Sequence, residues 1–398
     1  MKARRQLGLV LPALLICLII GATAWMFGSE HVRATSHARQ QEATRHALST
    51  ARQLLLNYAQ TYHLTHANES VGYLPCPDLD NDGSSDTCGT QGQYAIGRFP
   101  SRTLGSPTLR DGFGQCLWYL VAGGFKNNPP FNNDPVKDTA FNWDTGGQFI
   151  VRDHHGNALH HTDLITQYAV AVVFAPGPPL PGQQRNANSN ASCDGADDAA
   201  VAWPAFLEGG FAPSATVPID IAQGSPAGTN ANDQLAWLSA EEVFSHRLAT
   251  RQDVGQMIDE MLQDIVNDAK IMGPGPGPIP TGIRPPSGAT SVGLVDIGGI
   301  PDAAVTERTK RWSDHLKYLH CRDDSACMTR DDGSTCRALV LFAGTPLITQ
   351  PRTDPNLASD YFEGDLAALV DPQGTAFTST HNYDVGAPST DLTQCITF

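Results

Sequence analysis

Residues 9–27 read LVLPALLICLIIGATAWMF and residues 30–63 read EHVRATSHARQQEATRHALSTARQLLLNYAQTYH; the first stretch has no charge, the second neither proline nor glycine. The nineteen uncharged residues correspond to about 28 Å of helix, enough for a bilayer core. In the second stretch Ala43, Ala47, Leu48, Ala51, Leu54, Leu55, Tyr58 and Ala59 recur at steps of three and four. That spacing predicts an amphipathic helix continuous with the apolar one. Lys2, Arg4 and Arg5 precede it, so the basic end is expected to stay cytoplasmic and the remainder to be exported. Three fates are open: an uncleaved anchor, a signal peptide cut near Ala22-Thr23-Ala24, or a short leader cut between Gly8 and Leu9. A long helix, apolar first and two-faced second, suits packing against copies of itself and then docking on a globular head.

The chain has 398 residues, 37 Gly, 28 Pro and a net charge of −15. This composition favours a loop-rich α+β globule over a bundle. Without Lys2, Arg4 and Arg5 the rest stands at −18, which argues against nucleic acid or anionic lipid headgroups as partners of the head. Of nine cysteines, Cys17 lies in the apolar stretch. Cys76, Cys88, Cys116, Cys193, Cys321, Cys327, Cys336 and Cys395 follow the export signal, so up to four disulfides are expected, Cys76 with Cys88 being the simplest pair. No pair has the C-x-x-C spacing of a zinc site.

A short basic leader ending at Gly8, an apolar stretch, and a helix ending ARQLLLNYAQTY (51–62) resemble the type IV pilin and type II secretion pseudopilin superfamily. The following GYLPCPDLDNDGSSDTC (72–88) and GRFPSRTLGSPTLRDGFGQCLWYLV (97–121) are similar to pilin-like proteins of proteobacteria carrying LPCPD-x-x-x-DG and LWY. The likeness covers most of residues 1–210. It implies leader cleavage at Gly8–Leu9, other pilin or pseudopilin subunits and the lipid bilayer as partners of the helix, a non-catalytic role and structural calcium. Major pilins have Glu at the fifth position after the cut; here that position is Ala13, the first is Leu9, and Pro12 comes early. Those departures fit a minor or tip subunit, or one that is never assembled.

Along the exported part, 113–121, 148–152, 167–175 and 337–343 read as strands. Ser239-x-x-Glu242 predicts a helix running to about Met272, and Pro301–His320 a second one. The segments are a leader (1–8), the long helix (9–65), a first β-rich unit (66–215), a connector with helix (216–272), a Pro/Gly linker (273–291) and a second Cys-rich β unit (292–398). VVFAPGPPLPGQQR (172–185) aligns with LVLFAGTPLITQPR (339–352), followed by FLEGG (206–210) and YFEGD (361–365). The repeat predicts a duplicated β unit, each copy with a loop pinned by an Arg–Glu pair: Arg185 with Glu208, and Arg352 with Glu363.

The candidate metal loop is Asp78, Asp80, Asp82, Ser84 and Asp86, with Gly83 at the tight-turn position: oxygens at positions 1, 3, 5, 7 and 9 suit Ca²⁺. Position 12 is Gly89, so the usual bidentate carboxylate is missing, and a solvated Asp-rich turn is the competing reading. His154, His155, His160 and His161 lie in a short loop that reads as an exposed hairpin, with a transition-metal site as the rival. There is no G-x-S-x-G, H-E-x-x-H or P-loop, so catalysis is not expected. The expectation is a minor pilin-like or tip subunit in the inner membrane, its head in the periplasm or on a filament, with an extracellular ligand at that head as a further partner. The alternatives are a periplasmic binding module on an uncleaved anchor and an anchored envelope hydrolase.

Overall fold

The computed structural model describes residues 10–66, 69–89, 92–126, 140–183, 185, 193, 203–208, 217–225, 230–245, 251–271, 290–293, 308–321, 326–346, 350, 352, 357–362, 366–367, 376–377 and 391–396. Gly8, Leu9 and Glu363 therefore lie outside the described residues. Helix α1 (Val10–Thr65) is uninterrupted over 56 residues, about 84 Å. Pro12 falls in its first turn, where a missing N–H costs nothing. Leu14, Leu15, Ile16 and Leu18 are exposed. Among the described residues no helix is long and apolar enough to cross a membrane.

The last third of α1 is built differently. Thr44, Ala47, Leu48, Ala51, Leu55, Ala59 and Tyr62 are buried along one stripe. The small residues let the helix lie close to the sheet. Ala43, expected on that stripe, is exposed, and Thr44 takes its place. Thr44 Oγ1 donates to Gln40 O (2.9 Å) and accepts from Gly112 N (2.9 Å). A Cβ on Gly112 would fall 1.9 Å from Gln40 O, so only glycine permits that approach.

The first sheet contains β1 (Ala95–Arg98), β2 (Trp118–Val121), β3 (Phe149–Arg152), β4 (Ala169–Ala175), β5 (Ile219–Ala222) and β6 (Gln234–Ser239). Its antiparallel spine is β1-β2-β4-β6, and β3 with parallel β5 joins the end of β4. AVAVVFA in β4 is buried at every residue: β2 and β6 pair with it on either side and α1 packs across it. The second sheet is β7 (Thr290–Gly293), β8 (Leu316–Cys321), β11 (Ala338–Phe342) and β13 (Leu392–Ile396), in the antiparallel order β7-β8-β11-β13. A small third sheet holds β9 (Met328–Arg330), β10 (Thr335–Cys336) and β12 (Ala376–Phe377).

The capping box forms as expected, with Glu242 N donating to Ser239 Oγ (3.1 Å) and Ser239 N to Glu242 Oε2 (3.0 Å). Its helix α2 (Ala240–Val243) stops at Phe244, whose ring packs between Phe125 and Phe141. A separate helix α3 (Gln252–Ile271) then buries Val254, Met257, Ile258, Met261, Leu262, Ile265 and Val266. α3 packs across β11 and β13 as α1 packs across β4 and β6. The expected helix at 301–320 is corrected. Residues 308–311 form one helical turn and 316–321 is the interior strand β8, with β7 on one edge and β11 on the other. Trp312, Leu316 and Leu319 have helical spacing, but pairing on both edges overrides it.

Both units thus run in the same order: helix, two antiparallel strands, a central strand, then an edge strand beneath the helix. Phe174 lies between Trp118 and Leu235; Phe342 lies between Leu316 and Leu392. Disulfides join Cys76–Cys88, Cys116–Cys193, Cys321–Cys327 and Cys336–Cys395, so all eight cysteines that follow α1 are paired.

Candidate functional site

Asp78 anchors the acidic loop. It is fully buried, and its two carboxylate oxygens accept from Asn81 N (2.6 Å) and Gly83 N (2.8 Å). Asn81 (φ 66°) and Gly83 (φ 86°) adopt left-handed backbone to present those amides. Burial pushes Asp78 up to about 6, with Asp86 and Asp80 adding to it and the two amides opposing it. Asp86 Oδ2 accepts from Leu79 N (2.5 Å) and Asp80 N (3.3 Å). Asp78, Asp80 and Asp86 each bring an oxygen to within 4.8 Å of the others. Asp82 does not join that group: it accepts from Ser84 N (2.6 Å) and faces Arg102 (3.7 Å). The Cys76–Cys88 bridge closes the loop's base. Beneath it, Arg98 is buried with its guanidinium 4.0 Å over Trp118 and 4.5 Å over Phe206; burial pulls it down to about 9 while Asp78 acts to raise it. The three convergent carboxylates fit a hard divalent cation, with nothing specific to calcium.

The histidine loop does not gather its rings. Among the described residues the exposed rings of His154 and His155 touch at a tilt, whereas His160 Nε2 accepts from Val151 N (3.0 Å). No metal-ligand group among the described residues includes them.

The two repeat loops are pinned by the same contacts. Arg185 donates to Gly177 O (2.7 Å) and Gln183 Oε1 (2.8 Å) and lies over Phe206 (5.3 Å). Arg352 donates to Gly344 O (2.9 Å) and Gln350 Oε1 (3.3 Å) and lies over Tyr361 (4.6 Å). Each glycine amide is in turn held by a buried Asp, Gly177 by Asp111 and Gly344 by Asp391, both at 2.8 Å. Arg185 reaches Glu208 at 3.7 Å, with side chains 2% and 10% exposed. For Arg352, Glu363 is outside the described residues, and Asp144 is the acid nearby at 3.8 Å.

Glu208 shares its pocket with Asp233, whose carboxyl is pushed up to about 8, first by burial and then by Glu208. The folded pair therefore holds a proton that the unfolded chain has released above pH ~4. Stability is expected to fall as pH rises from about 4 to 8 and to level off beyond. Asp233→Asn should flatten that slope in urea titrations at pH 5, 6.5 and 8; an unchanged slope would discard the assignment.

A second constellation was not legible in the sequence. Asp144, in the loop before β3, meets Asp314 and His315, just before β8. His315 is fully buried, walled by Trp143, Trp312, Phe342 and Tyr361. Asn142 Nδ2 donates to Asp314 Oδ1 (2.8 Å) and to Arg311 O (3.0 Å). Burial, with Asp314 and Asp144 close by, drives the Tyr361 hydroxyl far above its ordinary range, so it stays neutral. These residues stand about 170 apart in the chain and join the first unit to the second.

No family model, curated protein or solved structure matches this chain. The reading of function therefore rests on geometry and sequence pattern alone.

Proposed function

We propose that the protein is a non-catalytic, pilin-like subunit, held in the inner membrane by the start of α1 and carrying a two-unit head outside the cytoplasm. The observation that carries this is the division of one unbroken helix. Its last third is buried on the β4–β6 face, while Leu14, Leu15, Ile16 and Leu18 are exposed, with nothing among the described residues covering them. A folded monomer gains nothing from a continuous apolar extension, but an assembly of parallel helices in lipid or in a filament core buries it. The uncharged run 9–27 supports insertion in the bilayer, with Lys2, Arg4 and Arg5 at the cytoplasmic side. Ala13 in place of the acidic residue of major pilins supports a minor or tip position. Mature N-terminal sequencing tests this: a start at Leu9 supports the leader-processed subunit, and a start near Trp25 rejects it.

A binding module on the same anchor is the second reading. It is favoured by a groove of about 430 Å³ between α1 and β6, lined by Arg45, Arg52, Trp237 and Glu242.

In this account Ca²⁺ at Asp78, Asp80 and Asp86 is a structural brace for the loop that follows α1. Millimolar Ca²⁺ is expected to raise the melting temperature by several degrees, and Asp86→Asn to abolish the rise. Equal melting with calcium and with chelator would remove the ion from the account.

A further inference from the structure

His315 presents a conflict that its neighbours do not resolve. Its Nδ1 lies 2.8 Å from the carbonyl oxygen of Ala343. A carbonyl can only accept, so Nδ1 carries the hydrogen. Arg352 Nη1 also approaches Nδ1, at 3.3 Å, but the shorter contact to an obligate acceptor decides the tautomer. In the neutral ring Nε2 is then a lone pair. It stands 3.0 Å from Asp144 Oδ2, itself an acceptor, and neither atom has a hydrogen-bond partner although both are buried. Arg352 is 3.8 Å from the same oxygen, too far for a hydrogen bond. Two lone pairs facing each other in a buried site repel unless a positive centre lies between them.

We propose that Asp144, Asp314 and His315 form a binding site for one divalent transition-metal ion, of the zinc class, which fastens the first unit to the second. One ligand atom from each of the three lies within 4.8 Å of the others. Two donors bound to zinc at 2.0–2.1 Å stand about 2.9 Å apart at a right angle and about 3.4 Å at the tetrahedral angle. The 3.0 Å between Nε2 and Oδ2 falls in that interval. The surroundings match what a ligating histidine requires. A backbone carbonyl fixes the far nitrogen, and Asn142 holds a carboxylate oxygen of Asp314. An imidazole with two carboxylates favours a zinc-class ion over Ca²⁺ or Mg²⁺, which prefer all-oxygen sets. Asp144 and Asp314 are only partly buried, so the ion has a route in from solvent. The site is distinct from the acidic loop at Asp78, Asp80 and Asp86.

The test uses the full-length protein, purified without chelators, then stripped and titrated with Zn²⁺ by calorimetry at pH 7.5. One equivalent is expected. Asp314→Asn should weaken uptake at least tenfold, while Asp220→Asn, at an exposed position of β5 in neither acidic cluster, should leave it unchanged. Asp314→His keeps a ligand and should bind, with a shifted visible spectrum when Co²⁺ replaces Zn²⁺. That variant separates lost ligation from misfolding. The proposal is overturned if the wild type takes up no stoichiometric Zn²⁺, or if Asp144→Asn and Asp314→Asn both bind as the wild type does. It is equally overturned if zinc has no effect and stability instead drops as pH rises through the imidazole range. A proton would then be what lies between Nε2 and Oδ2.

Discussion

Replacing Cys116 and Cys193 with serine is expected to lower the stability of the head by about 4.5 kcal/mol and its melting temperature by about 9–18 °C. The bridge spans 77 residues, the longest separation of the four, so it removes the most freedom from the unfolded chain. It ties Cys116, two residues before β2, to Cys193, beyond the loop that Arg185 pins. Cys321–Cys327, only six residues apart, should contribute about 2 kcal/mol by the same reasoning. Cys336–Cys395, 59 apart, should come close to the first. Urea unfolding of each double-serine protein checks the order. A Cys321–Cys327 deletion more costly than the Cys116–Cys193 deletion would show that local strain, not chain entropy, governs these bridges.

Arg185→Met should cost about 3–5 kcal/mol, far more than a surface charge does. The guanidinium is 2% exposed and serves the carbonyls of Pro176, Gly177 and Phe206 together with Gln183 and Glu208. Removing it strands the carbonyls and leaves Glu208 buried beside Asp233 without a cation. Arg185→Lys should recover little, because one ammonium cannot reach all five partners set around a planar fork. Arg352→Met should do comparable harm in the second unit, since Arg352 makes the corresponding contacts to Gly344, Gln350 and Tyr361. A loss below 1 kcal/mol at Arg185 in denaturant titrations would reduce the clamp to a surface contact.

The parts of this fold that were legible in the sequence are those set by local spacing. The long helix followed from the absence of proline and glycine after residue 30, and the central strands followed from the apolar runs now in β4 and β11. The repeat was legible because a pinned loop needs the same Gly, Gln and Arg each time. What failed was decided by distant contacts. LKYLHC at 316–321 is a strand because β7 and β11 pair with both its edges, which no local pattern announces. The helix foreseen from Ser239 to Met272 breaks at Phe244 because its ring is drawn into the Phe125–Phe141 cluster. In the acidic loop, spacing pointed to Asp78, Asp80, Asp82, Ser84 and Asp86, and the fold draws together the carboxylates of Asp78, Asp80 and Asp86. Asp82 turned instead toward Arg102, twenty residues further on. Asp144, Asp314 and His315 carried no signal, since an isolated Asp or His is ordinary until the fold brings it to its partners.

The central claim is that the exposed start of α1 packs against other subunits. A photo-crosslinking residue placed at Leu18, in cells expressing the full chain, tests it most directly, with one at solvent-exposed Arg39 as the control. The account predicts discrete adducts to neighbouring subunits from position 18 and none from position 39. A chain that yields no subunit adducts from position 18, or whose mature form begins after that residue, would contradict it.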